Sequence, residues 1–155
     1  MRRDKDNYYL DIAEVVLERS TCLRRQYGAV IVKDDEIIST GYTGSPRGKK
    51  NCCDIGECKR IKNNVPHGTD YTHCESVHAE QNAIISASRK DMIGSTLYLA
   101  GLETKDINNK QCICYVQNAQ PCSICKRLII NSGIEKVIVR ANKDEFKTME
   151  VSGWK

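Results

Sequence analysis

Residues 77–83 read Val-His-Ala-Glu-Gln-Asn-Ala and residues 121–125 read Pro-Cys-Ser-Ile-Cys. Any fold for this chain has to bring those two segments together. Cys122 and Cys125 fall on the first turn of a predicted helix, where residues three apart face the same way. Free amide hydrogens and the helix dipole there favour thiolates. Pro121 suits a helix start because it has no amide hydrogen to leave unpaired. His78 opens a second predicted helix, and one imidazole with two thiolates is a zinc-binding donor set. Three protein ligands leave a fourth tetrahedral position open, which distinguishes a catalytic zinc site from a closed structural one. Glu80, two residues past His78, is not needed as a ligand and is placed to move protons at that open position.

Taken alone, Cys-x-x-Cys is also half of a structural zinc knuckle or a redox pair. A thioredoxin-like role is disfavoured because this motif follows a polar stretch and has a second, metal-suited partner segment. His-x-Glu followed by Pro-Cys-x-x-Cys, each opening a helix, is more specific and matches the zinc-deaminase signature.

A chain of 155 residues is the size of one domain, expected to span 1–155, with a single sizeable core. Apolar spacing predicts a helix over 7–20 with Asp6 as its cap, and β-rich runs at 28–32 and 36–41 around Lys33-Asp-Asp35 predict a hairpin. A helix over 77–88, apolar on several sides, is expected to be central. A strand at 96–99, a helix at 121–131 closed by Gly133 and a strand at 136–140 predict a parallel, right-handed crossover. A last strand over 146–151 is expected to return as a hairpin. Residues 42–75 form a polar loop far longer than an ordinary connection, and 101–119 reads as a polar insertion near the mouth of the site.

The nine cysteines are odd in number, and the polar start, Met1 to Asp6, does not read as a secretory leader. Reduced thiols and bound metal in a cytoplasmic protein are therefore expected rather than disulfides. No run is long and apolar enough to cross a bilayer. The net charge of +4 is carried by scattered Lys and Arg residues, which argues against a nucleic-acid surface and suits a small anionic ligand.

The chain resembles the zinc-dependent cytidine and deoxycytidylate deaminases, in their deoxycytidylate branch. The resemblance runs from about Ser20 to Arg140, through Ser-Thr-Cys-Leu-Arg24, Gly-Ala-Val-Ile-Val32, Ile-Ile-Ser-Thr-Gly-Tyr-Thr-Gly-Ser-Pro46, Asn-Cys-Cys-Asp54 and the two motifs above. It implies a three-layer α/β fold with a mixed five-stranded sheet flanked by helices, and zinc held between two helix starts. The implied reaction is hydrolysis of dCMP to dUMP and ammonia by a homo-oligomer. The resemblance also places the Ala79 amide against the base carbonyl. Thr43 stands where the family usually has an Asn that touches the sugar, and it has a shorter reach. Thr43, Gly44 and Arg47 follow a strand in a Gly-rich turn, and backbone amides together with the Arg47 charge are the expected 5'-phosphate contact. Insertion 101–119 has no counterpart in the common family pattern.

Two other functions fit less well. One is a deaminase of a different nucleoside or base, including one in tRNA, which would want a basic surface. The other is a non-catalytic zinc-stabilised module, in which Glu80 would have no purpose. In the long loop, Cys52, Cys53, Cys58, His67, His73 and Cys74 crowd a segment with few apolar residues to hold it. A second, closed zinc site is expected on Cys22, Cys53, Cys58 and Cys74, with His73 or Cys52 as alternative ligands, and four protein ligands make such a site structural.

Overall fold

Successive residues of a strand face opposite sides of a sheet, and here both sides are apolar. Ala29, Ile31, Leu97, Leu99, Val137 and Val139 are buried in one cluster, while Val30, Val32, Tyr98, Ala100 and Ile138 are buried in another. Both faces must therefore be covered by helices. The computed structural model describes residues 1–155. Its elements run α1 (Lys5–Leu17), β1 (Arg25–Lys33), β2 (Glu36–Tyr42), α2 (Cys52–Ile55), α3 (Lys59–Lys62), α4 (Ala79–Ile85), α5 (Arg89–Met92), β3 (Thr96–Ile107), β4 (Lys110–Tyr115), α6 (Ser123–Ser132), β5 (Lys136–Arg140) and β6 (Phe146–Glu150). Helix α1 covers one face through Tyr9, Leu10 and Ala13. Helices α4, α5 and α6 cover the other through Ala79, Ala83, Met92 and Ile129. The result is the expected three layers, and no helix is long and apolar enough to cross a membrane.

The sheet order is β2-β1-β3-β5-β6. Strand β3 pairs parallel with β5 from Thr96↔Lys136 to Leu99↔Val139, and the other pairings are antiparallel. The strand–helix–strand crossover and the closing β5–β6 hairpin agree with the sequence pattern. Three local features differ from it. Asp4, not Asp6, caps α1, accepting a 2.9 Å hydrogen bond from the Asn7 amide. The predicted 77–88 helix is two short ones, because α4 ends at Ser86 and Ser88 caps α5 through the Asp91 amide. The polar stretch 101–119 is largely strand: β3 continues to Ile107, turns at Asn108-Asn109 with φ of 51° and 62°, and returns as β4. Two consecutive positive φ values suit a two-residue hairpin turn. Strand β4 is thus a sixth strand, paired to the part of β3 that β5 does not reach.

Gly41 decides how close α4 comes to the sheet. A Cβ at this position would lie 2.3 Å from both the Ala79 carbonyl oxygen and the Ala83 amide nitrogen, so the helix backbone rests directly on strand β2. The Ser39 hydroxyl adds a 2.7 Å hydrogen bond to the Ala83 carbonyl one pleat away. Gly41→Ala is expected to displace α4 and to destabilise the protein by about 1–3 kcal/mol through overpacking, read as a lowered Tm together with lost turnover; unchanged values for both would contradict this seating.

Candidate active site

His78 is the N-cap residue of α4, with extended backbone (φ −71°, ψ 154°), and its amide donates to Gln81 Oε1 at 2.8 Å. Cys122 is the N-cap of α6, and its sulfur accepts from the Cys125 amide at 3.4 Å. The two helix starts meet so that His78 Nδ1 lies 3.5 Å from Cys122 Sγ and 3.3 Å from Cys125 Sγ. All three donor atoms lie within 4.8 Å of one another. Ordinary Zn–N and Zn–S bond lengths at a tetrahedral angle put such donors about 3.5 Å apart, so the triad fits zinc in both chemistry and spacing. A hydrogen bond from the Cys125 thiol, followed by the His78 contact, holds the Cys122 thiol well below its ordinary pKa, the form that binds metal.

Glu80 is only 5 % exposed, and burial pushes its carboxyl above the usual carboxylate range. Ala79 is fully buried, and as the first residue of α4 its amide has no helical acceptor one turn back. These residues open onto a cavity of about 480 Å³ that Arg24, Arg25, His67 and Tyr71 also line.

The remaining sequence-predicted residues are arranged unevenly around this cavity. Thr43 lines it and is buried, its amide donating to Tyr27 O at 3.1 Å. Gly44 does not offer its amide to a ligand, because it donates to Val77 O at 3.2 Å in a two-way bridge with the segment before α4. Arg47 is exposed and outside the cavity wall, so the expected phosphate contact by Gly44 and Arg47 has no support in the geometry. Among the loop cysteines, burial and then the nearby thiols of Cys22, Cys58, Cys74 and Cys53 raise the pKa of the Cys52 thiol. Cys53 is exposed, its sulfur 3.9 Å from Asp54 Oδ1. His73 is turned to Asp70 at 3.0 Å. Cys52, one of the alternative ligands, thus has the thiols of Cys22, Cys58, Cys74 and Cys53 around it. These sulfurs are gathered less tightly than the His78 triad, since no other group has all its donors within 4.8 Å.

The sequence reading missed the long loop's inner side chains. Arg60 is buried and donates to the carbonyls of Pro66 (2.6 Å), Thr69 (2.6 Å) and Asp70 (3.0 Å). Its guanidinium also lies 5.7 Å from the centre of the Tyr71 ring, which meets His78 edge-on at 5.5 Å. Nothing in the spacing of Arg60 and Tyr71 marks them as partners. Arg24 and Arg25, adjacent in sequence beside the Ser-Thr-Cys stretch, were not singled out either.

Comparison with known proteins agrees with this geometry. Residues 3–141 match the family described as the cytidine and deoxycytidylate deaminase zinc-binding region. The chain belongs to that family. Its cofactor is accordingly zinc, with His78, Cys122 and Cys125 as the candidate site. The deoxycytidylate deaminase of Mycobacterium phage D29 is 38 % identical over 88 % of this chain and 94 % of its own length. That of Saccharomyces cerevisiae is 31 % identical over 99 % of this chain, which spans 44 % of the yeast protein. The dCMP deaminase of cyanophage S-TIM5, solved in complex with dCMP and dUMP, superposes with a TM-score of 0.61 at 25 % identity, covering 92 % of this chain and 85 % of that one.

Arg60→Ala should free three carbonyls and release Tyr71. Hydrogen bonds to a charged donor contribute about 1.5–3 kcal/mol each, so cleavage within 59–74 under limited proteolysis is expected to accelerate at least tenfold; an unchanged cleavage rate would show that the loop is held by something else.

Proposed function

We propose that the chain is a single deaminase domain over 1–155 that hydrolyses dCMP to dUMP and ammonia, with His78, Cys122 and Cys125 holding zinc and Glu80 moving the protons. The observation carrying this reading is the buried Glu80 carboxyl beside a donor triad spaced for zinc with one position left open. When bound, zinc lowers the pKa of water towards neutrality and so supplies a nucleophile at physiological pH. Glu80 accepts the proton that the attacking water gives up and delivers it to ring N3. As the new C4–O bond becomes a carbonyl, Glu80 transfers the second proton to the amino group, the C4–N bond breaks and ammonia leaves. The carboxyl's raised proton affinity, caused by burial, suits a group that must both take and return a proton. The Ala79 amide donates to the base carbonyl, and the Thr43 hydroxyl meets the sugar.

A structural zinc on Cys22, Cys52, Cys58 and Cys74 completes the proposal. Polar contacts already join their elements: the Cys53 amide donates to Thr21 O at 3.2 Å, and the Lys59 side chain pairs with the Glu75 carboxylate at 3.3 Å. All nine cysteines are free thiols, which suits a cytoplasmic protein. We also infer a homo-oligomer, supported by the exposed Ile85 and Leu128 on α4 and α6.

Ammonia release from dCMP, deoxycytidine, cytidine, dCTP and tRNA is expected to be fastest with dCMP. Glu80→Gln should keep its zinc while slowing turnover by about 10²–10⁴-fold or more; substantial residual activity would refute the proton role, and no turnover of dCMP by the unaltered enzyme would refute the substrate. Metal analysis of protein purified without chelator should find two zinc per chain, falling to one in Cys58→Ser. One zinc in the unaltered protein, with the loop thiols open to a thiol reagent, would exclude the second site.

A further inference from the structure

His78 has a fixed backbone and a ring whose rotation no hydrogen bond limits. Its amide is tied to Gln81 Oε1 at 2.8 Å, and its φ and ψ are those of a helix cap. The imidazole makes its polar contacts through one nitrogen only: Nδ1 lies 3.5 Å from Cys122 Sγ and 3.3 Å from Cys125 Sγ. Rotation about the Cβ–Cγ bond of histidine is soft and roughly two-fold. Half a turn would put a carbon where Nδ1 stands and remove the ligand atom. A zinc-bound histidine is ordinarily held against that rotation by a hydrogen bond from its other ring nitrogen. Here Nε2 makes no such bond within the chain. The imidazole instead lies against the Tyr71 ring, with centroids 5.5 Å apart and planes crossed at 63°.

Tyr71 is itself fixed from two directions. The Arg60 guanidinium lies over its ring, 5.7 Å from the centre, where a cation meets the negative face of an aromatic system. The same guanidinium donates to the carbonyl of Asp70, the residue just before Tyr71, at 3.0 Å. Its bonds to Pro66 and Thr69 anchor it in turn. Asp70 has left-handed backbone (φ 40°), and its carboxylate accepts from the Thr72 amide at 3.3 Å, so that a single 3-10 turn begins at Tyr71. A non-glycine residue in that conformation persists only where its surroundings over-determine it, and such residues gather at functional sites. Closing a loop needs only an apolar side chain at this point. Stopping a ring from turning needs a flat, rigid neighbour held at a set angle.

We infer that Tyr71 is a positioning residue for His78: its ring blocks rotation of the imidazole and keeps Nδ1 turned to the two cysteine sulfurs, and Arg60 acts on the metal centre through Tyr71. The inference rests on the reading of His78 as a zinc ligand. It gives the long loop a part in retaining the metal, beyond lining the cavity. The ring of Tyr71 carries the role and its hydroxyl does not, since the contact with His78 is between ring planes.

Tyr71→Leu and Tyr71→Phe separate this role from a merely structural one, because both leave the bonds from Arg60 to the loop carbonyls in place. Zinc release from the holoenzyme into excess chelator should be about tenfold or more faster in Tyr71→Leu, the effect of removing a group that orients a histidine ligand. Tyr71→Phe should keep the parent rate. The release phase to follow is the one that His78→Ala abolishes. Cleavage within 59–74 under limited proteolysis should stay at the parent rate in Tyr71→Leu. The chain has three histidines, so nitrogen-15 labelling of histidine isolates the ring directly. In the zinc form the His78 ring signals should be sharp in the parent and in Tyr71→Phe and broadened by rotation in Tyr71→Leu, with those of His67 and His73 unmoved. Arg60→Ala should speed release to a similar extent, and adding Tyr71→Leu to it should change little further, as for two residues acting in series. Parent-like release and sharp His78 signals in Tyr71→Leu would overturn the inference. Equal acceleration in Tyr71→Leu and Tyr71→Phe would overturn it too, as would faster release that comes only with faster cleavage of the loop. If His78→Ala keeps its full zinc, the ligand assignment falls and the positioning role falls with it. If His78→Ala loses zinc while Tyr71→Leu releases it as the parent does, the positioning role alone falls.

Discussion

The direct contact between the backbone of α4 and strand β2 at Gly41 is what the active site depends on. A side chain at that point would hold the helix away from the sheet, and His78, Ala79 and Glu80 would move with it. Sheet topology then supplies the second helix. Strand β2 runs antiparallel to β1, and β1 antiparallel to β3, so β2 and β3 point the same way; β3 is also parallel to β5. Helices α4 and α6 each return the chain towards the start of a following strand, and their N-termini therefore gather at the same end of the sheet. Ligands in open α/β sheets bind at the carboxyl ends of strands for this reason. Two N-cap positions, His78 and Cys122, become neighbours although they are 44 residues apart.

That meeting of helix starts also provides the electrostatics. Each N-terminus presents unpaired amides and the positive end of a helix dipole. The Cys122 sulfur accepts one such amide, from Cys125, and the Ala79 amide remains available to a ligand. The site can therefore hold thiolates and a carboxylate in a largely buried place without a surrounding shell of water. No arginine or lysine acts on Glu80, so its proton affinity is set chiefly by burial. A salt bridge at that position would tie up the carboxyl and lower its proton affinity.

Much of this was legible in the sequence, and the parts that were not have particular causes. The His78, Cys122 and Cys125 triad could be read because metal ligation demands few residue types at short, fixed spacings. The strand–helix–strand unit and both terminal hairpins followed from apolar runs and turn residues. The β3–β4 hairpin was hidden because its residues are mostly exposed: Glu103 is its last deeply buried position, and Ile107 and Ile113 face solvent. Burial produces the period-two apolar pattern, so a hairpin that projects from the core carries little of it, although Asn108-Asn109 was a usable turn signal. Arg47 attracted attention because it follows a Gly-rich turn. The arginines that do line the cavity, Arg24 and Arg25, stand where the chain enters β1, and their neighbour His67 lies on a loop 42 positions from Arg25. Only the tertiary path of the loop joins them.

That loop poses a physical problem of its own. Between Ser45 and Val77 Arg60 is the one buried residue, and Ile55 and Ile61 are more than half exposed. Apolar burial cannot hold such a segment, and it could not do so without blocking the cavity, because the loop's inner surface must stay polar to meet a charged nucleotide. Its stability has to come from directional interactions instead. A single guanidinium binding three carbonyls costs little space and leaves the cavity side free for His67 and Tyr71. The thiols of Cys22, Cys58, Cys74 and Cys53 around Cys52, close enough to raise its pKa, suit the other end of the same segment for a metal in the same way. A loop pinned at both ends by polar or ionic contacts can be long and hydrophilic and still place one side chain against the zinc ligand His78 and another between two arginines. A loop held by hydrophobic packing could not do both.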